Sequence, residues 1–248
     1  MSYDNFSLFY DSLTVDVDYS SRADYILKIF EKYDKKPTLL LDLACGTGGF
    51  SCEFAKQNIS VIGVDRSVGM LNVARQKSAE NAQDVLFLNQ SAEQLDLYGT
   101  VDGAVCLLDS VNHITDYDVL ERAFSRVSLF LEDNRLFVFD VNTVYKHKNV
   151  LSCNSFVKEA ASVFCVWQNG ECEKDGTVEI NLDFFSETED GTYERFSEEF
   201  SERAYTIDEL KKALQNAGLE TVAVLSDMSF SEPKQTDERI IFVTRRVK

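Results

Sequence analysis

From about residue 38 to residue 143 the chain alternates short apolar runs with stretches of helical spacing, and few folds accept that alternation. Leu39-Leu40-Leu41-Asp42-Leu43-Ala44 is apolar almost throughout and closed by glycines, as expected of a strand buried on both faces. Val61–Asp65, Val85–Leu88, Gly103–Leu108 and Arg135–Val141 repeat the pattern. The intervals read as helices. Phe50 to Gln57 places Phe50, Phe54 and Ala55 on one side, and Ser67 caps a helix striped by Met70, Leu71 and Ala74. Tyr117 to Phe130 follows with Leu120, Phe124 and Val127. Strands joined through helices need right-handed crossovers, which implies a doubly wound, Rossmann-like α/β sheet. Asp208–Ala217 is a further helix, ended by Gly218, and Leu219–Leu225 and Ile240–Val243 complete a seven-stranded sheet.

The period changes after about residue 155. Val178, Ile180, Leu182 and Phe184 alternate with Thr177, Glu179, Asn181 and Asp183, the signature of a half-buried antiparallel strand. Asn169-Gly170, Asp175-Gly176 and Asp190-Gly191 supply turns, the first and last of them hairpin dipeptides. The expected organisation is an α/β domain of residues 1–155 and 204–248, with a small β meander of residues 156–203 inserted. The insertion carries 13 acidic and 4 basic residues, which suits a solvated face, a lid or an interaction surface.

Charge narrows the partners. The whole chain has 42 acidic and 25 basic residues, a formal charge of −17, and no basic cluster. Such a surface repels phosphate backbones and anionic lipid, so nucleic-acid and membrane-surface binding are not expected. No apolar run reaches the roughly 18–20 residues of a membrane span. Met1 to Tyr10 lacks a basic start and an apolar core, so a cytoplasmic protein without a signal peptide is expected. None of the six cysteines forms a C-x-x-C pair and the histidines are His113 and His147, so the spacing suggests buried thiols and no metal site. An exposed edge of the meander leaves a monomer or a homodimer open.

The chemistry is expected at Asp42-Leu-Ala-Cys-Gly-Thr-Gly48, between a buried strand and a helix. Ligands of doubly wound sheets bind beyond the carboxyl ends of the strands. Gly46 and Gly48 let the backbone approach a ligand, and Asp65, 17 residues beyond Gly48 at the end of the second strand, suits a ribose diol. A dinucleotide loop would carry a third glycine at position 51, where this chain has Ser51. Asp42 suits a cationic amino group rather than a pyrophosphate, and no Gly-Lys-Ser/Thr follows to make a Walker loop.

Asp42-x-Ala-Cys-Gly-Thr-Gly48 with Asp65 resembles the S-adenosylmethionine (SAM) motif of class I methyltransferases, and the element order matches over most of the chain. Tyr10-Asp11, Asp109-Ser110-Val111-Asn112-His113 and Arg203-Ala204-Tyr205-Thr206 resemble a bacterial subgroup with a small antiparallel β domain before the last helix. Departures are Ala44, where the family often has its first glycine, and Gln90-Ser91, where many members hold the adenine amino group with an acid.

The resemblance implies that Asp42 binds the amino group of the methionine half, directly or through water. Ala44, Gly46 and Gly48 would shape the loop and Asp65 hold the ribose, with Arg66 or Met70 at its edge. Ser91 and Ala92 would flank the adenine, while Leu108 and Asp109 lie beside the methyl group. Tyr10, Tyr19 and Arg22 would belong to an N-terminal helical cover. Asp109 or His113 would supply a base for an unidentified, small-molecule acceptor, and the acidic rim favours a neutral or cationic one.

Plainer readings stand beside these. Asp42 can cap a helix, Asp65 can be a turn residue, and Asn112 and His113 can start the next helix. Phe184, Phe185, Phe196 and Phe200 can be core. An NAD-type oxidoreductase and a non-catalytic SAM-binding or interaction module are the rival functions.

Overall fold

The computed structural model describes residues 4–160 and 163–247, so Met1–Tyr3 of the segment read for a signal peptide, and two residues of the insertion, lie outside the described residues. Two helices, α1 (Asp4–Leu13) and α2 (Tyr19–Tyr33), precede the alternating region. Then come β1 (Leu39–Leu43), α3 (Gly49–Lys56), β2 (Ser60–Asp65), α4 (Val68–Glu80), β3 (Val85–Asn89), β4 (Gly103–Cys106), α5 (Tyr117–Phe130) and β5 (Leu136–Asn142). A short α6 (Val144–Lys146) runs into a wider turn, His147–Leu151, and into strands β6 (Ser155–Ala160), β7 (Val163–Asn169), β8 (Thr177–Glu187) and β9 (Tyr193–Arg203). Helix α7 (Ile207–Asn216) and strands β10 (Leu219–Ser226) and β11 (Arg239–Arg246) end the described chain.

Seven strands form one sheet in the order β10-β11-β5-β4-β1-β2-β3. β1 to β5 run parallel, and β11 pairs antiparallel with both β5 and β10. Successive strand residues point to opposite faces, so each strand feeds two cores. Leu41, Phe137, Phe139 and Phe242 meet Leu120, Phe124 and Val127 of α5 and Leu210 and Leu214 of α7 on one face. Leu40, Val105, Val138 and Ile241 meet Ile26, Ile29 and Phe30 of α2 and Phe54 of α3 on the other. Helix starts follow the side chains available. Ser67 and Asp116 accept from backbone amides of α4 and α5, and Thr206 with Glu209 closes a capping box on α7. Gly218 ends α7 in the left-handed region at φ 75°.

Two expectations change. β4 stops at Cys106 rather than Leu108, because Leu108 and Asp109 both turn left-handed, with φ of 54° and 52°. Asn169-Gly170 is not a two-residue hairpin: β7 ends at Asn169 and seven residues pass before β8 begins. Gly176 makes the left-handed turn there at φ 89°. Asp190-Gly191 does form the β8–β9 turn, with Gly191 at φ 78°.

The second sheet is antiparallel in the order β6-β7-β8-β9. Val178, Ile180, Leu182 and Phe184 are buried on one face, as the alternation demands, together with Cys165 and Phe200. Leu13 and Phe9 of α1 pack on that face, Phe9 at 6.0 Å from the ring centres of both Phe184 and Phe196. Burial of such side chains is worth about 2 kcal/mol each, so α1 is fastened to this sheet. Among the described residues no helix is long and apolar enough to cross a membrane. All six cysteines are free thiols.

Candidate functional site

The main cleft opens beyond the carboxyl ends of β1, β2 and β4, where the strand order reverses direction. It encloses about 920 Å³, counting space open to solvent at its mouth. Of the residues singled out from sequence, Tyr10, Ala44, Gly46, Asp65, Arg66, Met70, Ser91, Ala92, Leu108 and His113 line it.

The loop after β1 is built from left-handed residues, Ala44 at φ 56°, Gly46 at 55° and Gly48 at 73°. Ala44 thus takes a conformation that glycine adopts without strain. A side chain added at Gly46 would meet nothing within 4 Å, whereas one at Gly48 would come within 3.0 Å of the Ala74 methyl carbon. Gly46 therefore bares its backbone to the cleft, and Gly48 lets α4 pack against the loop. Asp65 ties the loop to β2: its carboxylate accepts from the amides of Gly46 at 2.9 Å and Ser67 at 2.8 Å. Burial pushes this carboxyl up, against the pull of those two amides.

The cleft also holds an acid that the sequence reading did not single out. Glu93 lines the cleft beside Gln90 and Ala92, and the Ser91 hydroxyl donates to its carboxylate at 2.7 Å. Its signal was a displacement of two residues from Ser91, taken up by a short 3-10 turn, Ala92–Gln94.

A second, smaller cavity, about 320 Å³ counting space open to solvent, lies across the loop. It shares Tyr10, Ala44, Gly46, Leu108 and Ser110 with the main cleft and adds Asp42, Tyr19 and Phe50. Asp42 is 2% exposed and accepts from the Ser51 hydroxyl at 2.5 Å. Burial is the main reason its carboxyl is raised to about 7, with Ser51 opposing and Asp65 adding to the rise. Tyr19 closes this cavity edge-on to Phe50 at 5.0 Å. Helix α1 is latched above it: the Thr47 hydroxyl donates to Asp11 at 2.7 Å, and Lys77 reaches the same carboxylate at 2.8 Å. Burial also lifts the Tyr10 phenol, with neighbouring Tyr19 and Asp109 acting in the same direction.

The Asp42 shift has a testable sign. Native Asp42 keeps its proton up to about pH 7, whereas in the unfolded chain it loses it near pH 4. Between those values the native state binds more protons, so Asp42 makes stability fall as pH rises, by roughly 4 kcal/mol in all. Asp42→Asn keeps an acceptor for Ser51. Denaturant melts of the ligand-free variant between pH 5 and pH 8 are expected to show a flatter profile than the parent. Equal slopes would contradict the assignment.

Leu108 and Asp109 owe their turn to residues the sequence reading did not single out. Asp140, at the end of β5, accepts from the Leu108 amide at 2.7 Å and the Asp109 amide at 3.1 Å. Arg239 of β11 donates to both Asp140 and Asp109, and Asn142 donates to Asp109 at 3.1 Å. Burial raises the Asp109 carboxyl, but Arg239, Lys146 and His113 outweigh it and hold it at about 2. Asp109 is therefore a weak proton acceptor. His113 lines the cleft with a 30% exposed side chain. Buried Asn112 accepts from the Asn142 amide at 2.9 Å and donates to the Asn142 and Arg203 carbonyls, so it joins β5 and β9 beneath His113. Arg22 is not brought to the main cleft: both its terminal nitrogens bind Asp227, at 2.9 and 2.8 Å. It borders a small apolar cavity behind Leu108 instead.

Residues 40–134 match a family model described as a methyltransferase domain. YqeM of Bacillus subtilis, named a methyltransferase, is 30% identical over 100% of this chain and 98% of its own length. A methyltransferase-named protein of a Geobacillus strain is 28% identical over 99% of this chain and 100% of its own. The crystal structure of a SAM-dependent methyltransferase from Clostridium acetobutylicum superposes with a TM-score of 0.89, at 31% identity and covering 99% of each chain. None of these three carries a dehydrogenase name, and the dinucleotide reading has no support. The chain belongs to the class I methyltransferases that use S-adenosylmethionine as methyl donor.

Proposed function

We propose that this methyltransferase grips SAM across both compartments and delivers the methyl group to a neutral or cationic small molecule. The observation that carries the reading is the pair of joined cavities, each with its own carboxylate: Asp65 and Glu93 in the larger, Asp42 in the smaller. SAM has a nucleoside and an ammonium-bearing amino acid joined at a sulfonium, which matches that division in shape and in charge.

The nucleoside goes to the larger side, with Asp65 accepting from the ribose hydroxyls and Arg66 and Met70 along its edge. Ala92 offers a backbone donor to the adenine ring, and Glu93 an acceptor for its amino group. Asp42 faces the ammonium, directly or through water, and the backbone of Ala44 and Gly46 follows the rest of the methionine half, on a loop whose bend Gly48 sets. Tyr10 and Tyr19 cover the join and exclude water. The sulfonium supplies a methyl carbon already activated for displacement, so the chain has to align the acceptor and remove its proton where it carries one. His113 is the group placed for that removal. Asp109, held anionic, positions the Leu108–Asp109 turn beside the methyl group.

A charge of −17 supports a small acceptor over nucleic acid, and six free thiols support a cytosolic setting for a monomer or homodimer. The test is transfer from methyl-labelled SAM into a cell extract separated into metabolite, protein and nucleic-acid fractions. Label is expected among the metabolites. Label confined to RNA or protein would overturn the small-molecule reading.

A further inference from the structure

The chain's two histidines, 34 residues apart in sequence, converge on one buried carboxylate. Glu202 of β9 has a 5% exposed side chain, with Nε2 of His113 at 3.5 Å from one carboxylate oxygen and Nε2 of His147 at 3.7 Å from the other. Asp109 closes the group: ligand atoms of Asp109, His113 and Glu202 all lie within 4.8 Å of one another. Three elements meet here, the turn after β4, the wide turn after α6, and the end of β9.

His147 carries the argument beyond a cluster of acids. Its side chain is wholly buried, and Nδ1 lies 2.9 Å from the Gly176 carbonyl, which can only accept, so Nδ1 holds the proton. Nε2 is the ring's remaining nitrogen. It has no hydrogen-bond partner, and it faces a carboxylate oxygen. A positive charge shared between these two buried atoms, a proton on Nε2 or a metal ion, satisfies both. The tautomer is the one that metal-binding histidines adopt when a backbone carbonyl orients the ring from behind.

Glu202 also lacks other compensation. Asn142 donates to it at 3.4 Å, and among the described residues no lysine or arginine pairs with it; the nearby Arg239 is engaged with Asp109 and Asp140. Donor atoms around an ion at about 2.1 Å lie roughly 3.0–3.6 Å apart, which the spacings of 3.5 and 3.7 Å to Glu202 approach. His147 stands outside the group of Asp109, His113 and Glu202 and has to swing towards it to share an ion.

We propose that Glu202, His113, His147 and Asp109 form a binding site for a divalent transition-metal cation at the edge of the cleft. Two imidazoles and two carboxylates are a donor set for Zn²⁺, Fe²⁺, Mn²⁺ or Co²⁺ rather than for Ca²⁺ or Mg²⁺, which prefer oxygen alone. The ion and a proton compete for His113 Nε2, so occupancy and use of His113 as a base exclude each other. The site stands on this cluster alone and not on the assignment of SAM to the compartments.

The test is titration of chelator-treated full-length protein with Co²⁺, read by visible ligand-field absorption, followed by displacement with Zn²⁺. One equivalent is expected to bind, and Glu202→Gln and His147→Gln are each expected to weaken it at least about 100-fold. His113→Asn, on the partly exposed turn, decides the matter if the buried variants fail to fold, and is expected to lose most of the absorption. Circular dichroism and SAM binding by the same samples report the fold and the cofactor reading separately. No stoichiometric binding by the parent protein, or unchanged binding by folded His113→Asn, would overturn the proposal.

Discussion

Asp65→Ala is expected to weaken SAM binding by about 100-fold or more while the protein stays folded. The carboxylate has two tasks under the proposed assignment. It holds the loop, through the Gly46 and Ser67 amides, and it accepts from the ribose. Hydrogen bonds to a charged group contribute about 1.5–3 kcal/mol each, so losing the ribose pair alone removes some 3 kcal/mol. That corresponds to about 100-fold in affinity. Stability should fall less than affinity, because burial already disfavours the charged form of Asp65 in the native state. Asp65→Asn keeps one acceptor and is expected to fall between the parent and Asp65→Ala in a binding titration. An alanine variant with parental affinity would place the ribose elsewhere.

Arg239→Met is expected to cost about 3–5 kcal/mol of stability, because it strips the cation from two buried carboxylates at once. For a domain of this size that is a fall of roughly 6–20 °C in melting temperature. The pH dependence distinguishes this cause from lost packing. In the parent, Asp109 is held at about 2, below its unfolded value, so its contribution is present above about pH 4 and is lost as pH falls towards 2. In the variant both carboxyls lose the pull of Arg239, so Asp109 rises from its depressed value and Asp140, already raised by burial in the parent, rises further. The native state then binds more protons than the unfolded chain, and stability rises as pH is lowered from 7 towards 5. Thermal melts across that interval should therefore show partial rescue of the variant at the acid end. A variant equally destabilised at every pH would point to packing instead.

The fold was legible because its signals are local and repeated. Each strand of the main sheet is a short apolar run, each following helix carries a stripe and a cap, and the alternation around Val178–Phe184 gave the second sheet. The loop was legible for the same reason, since Asp42, Gly46, Gly48 and Asp65 lie on consecutive elements whose order fixes their meeting. The supports of the Leu108–Asp109 turn were not. Asp140 and Arg239 sit on strands adjacent only through the sheet topology, and in the sequence they read as a strand-end acid and one more basic residue. Glu202 lay hidden among the acids of the insertion, and without clustered Cys or His in the sequence no metal site was expected. β4 was read two residues too long because Leu107 and Leu108 are apolar, and apolarity does not report a left-handed φ. Glu93 was missed because a 3-10 turn carries it back to the cleft from two residues beyond Ser91.

The division of the cleft into a nucleoside side and an amino-acid side is tested most directly by calorimetric titration of nucleoside-free protein with SAM and, separately, with adenosine. SAM is expected to bind one to one and more tightly than adenosine. Asp42→Asn should weaken SAM but leave adenosine unchanged, whereas Asp65→Ala should weaken both. No heat with SAM, or an Asp42 variant that loses adenosine as severely as SAM, would contradict the two-compartment arrangement.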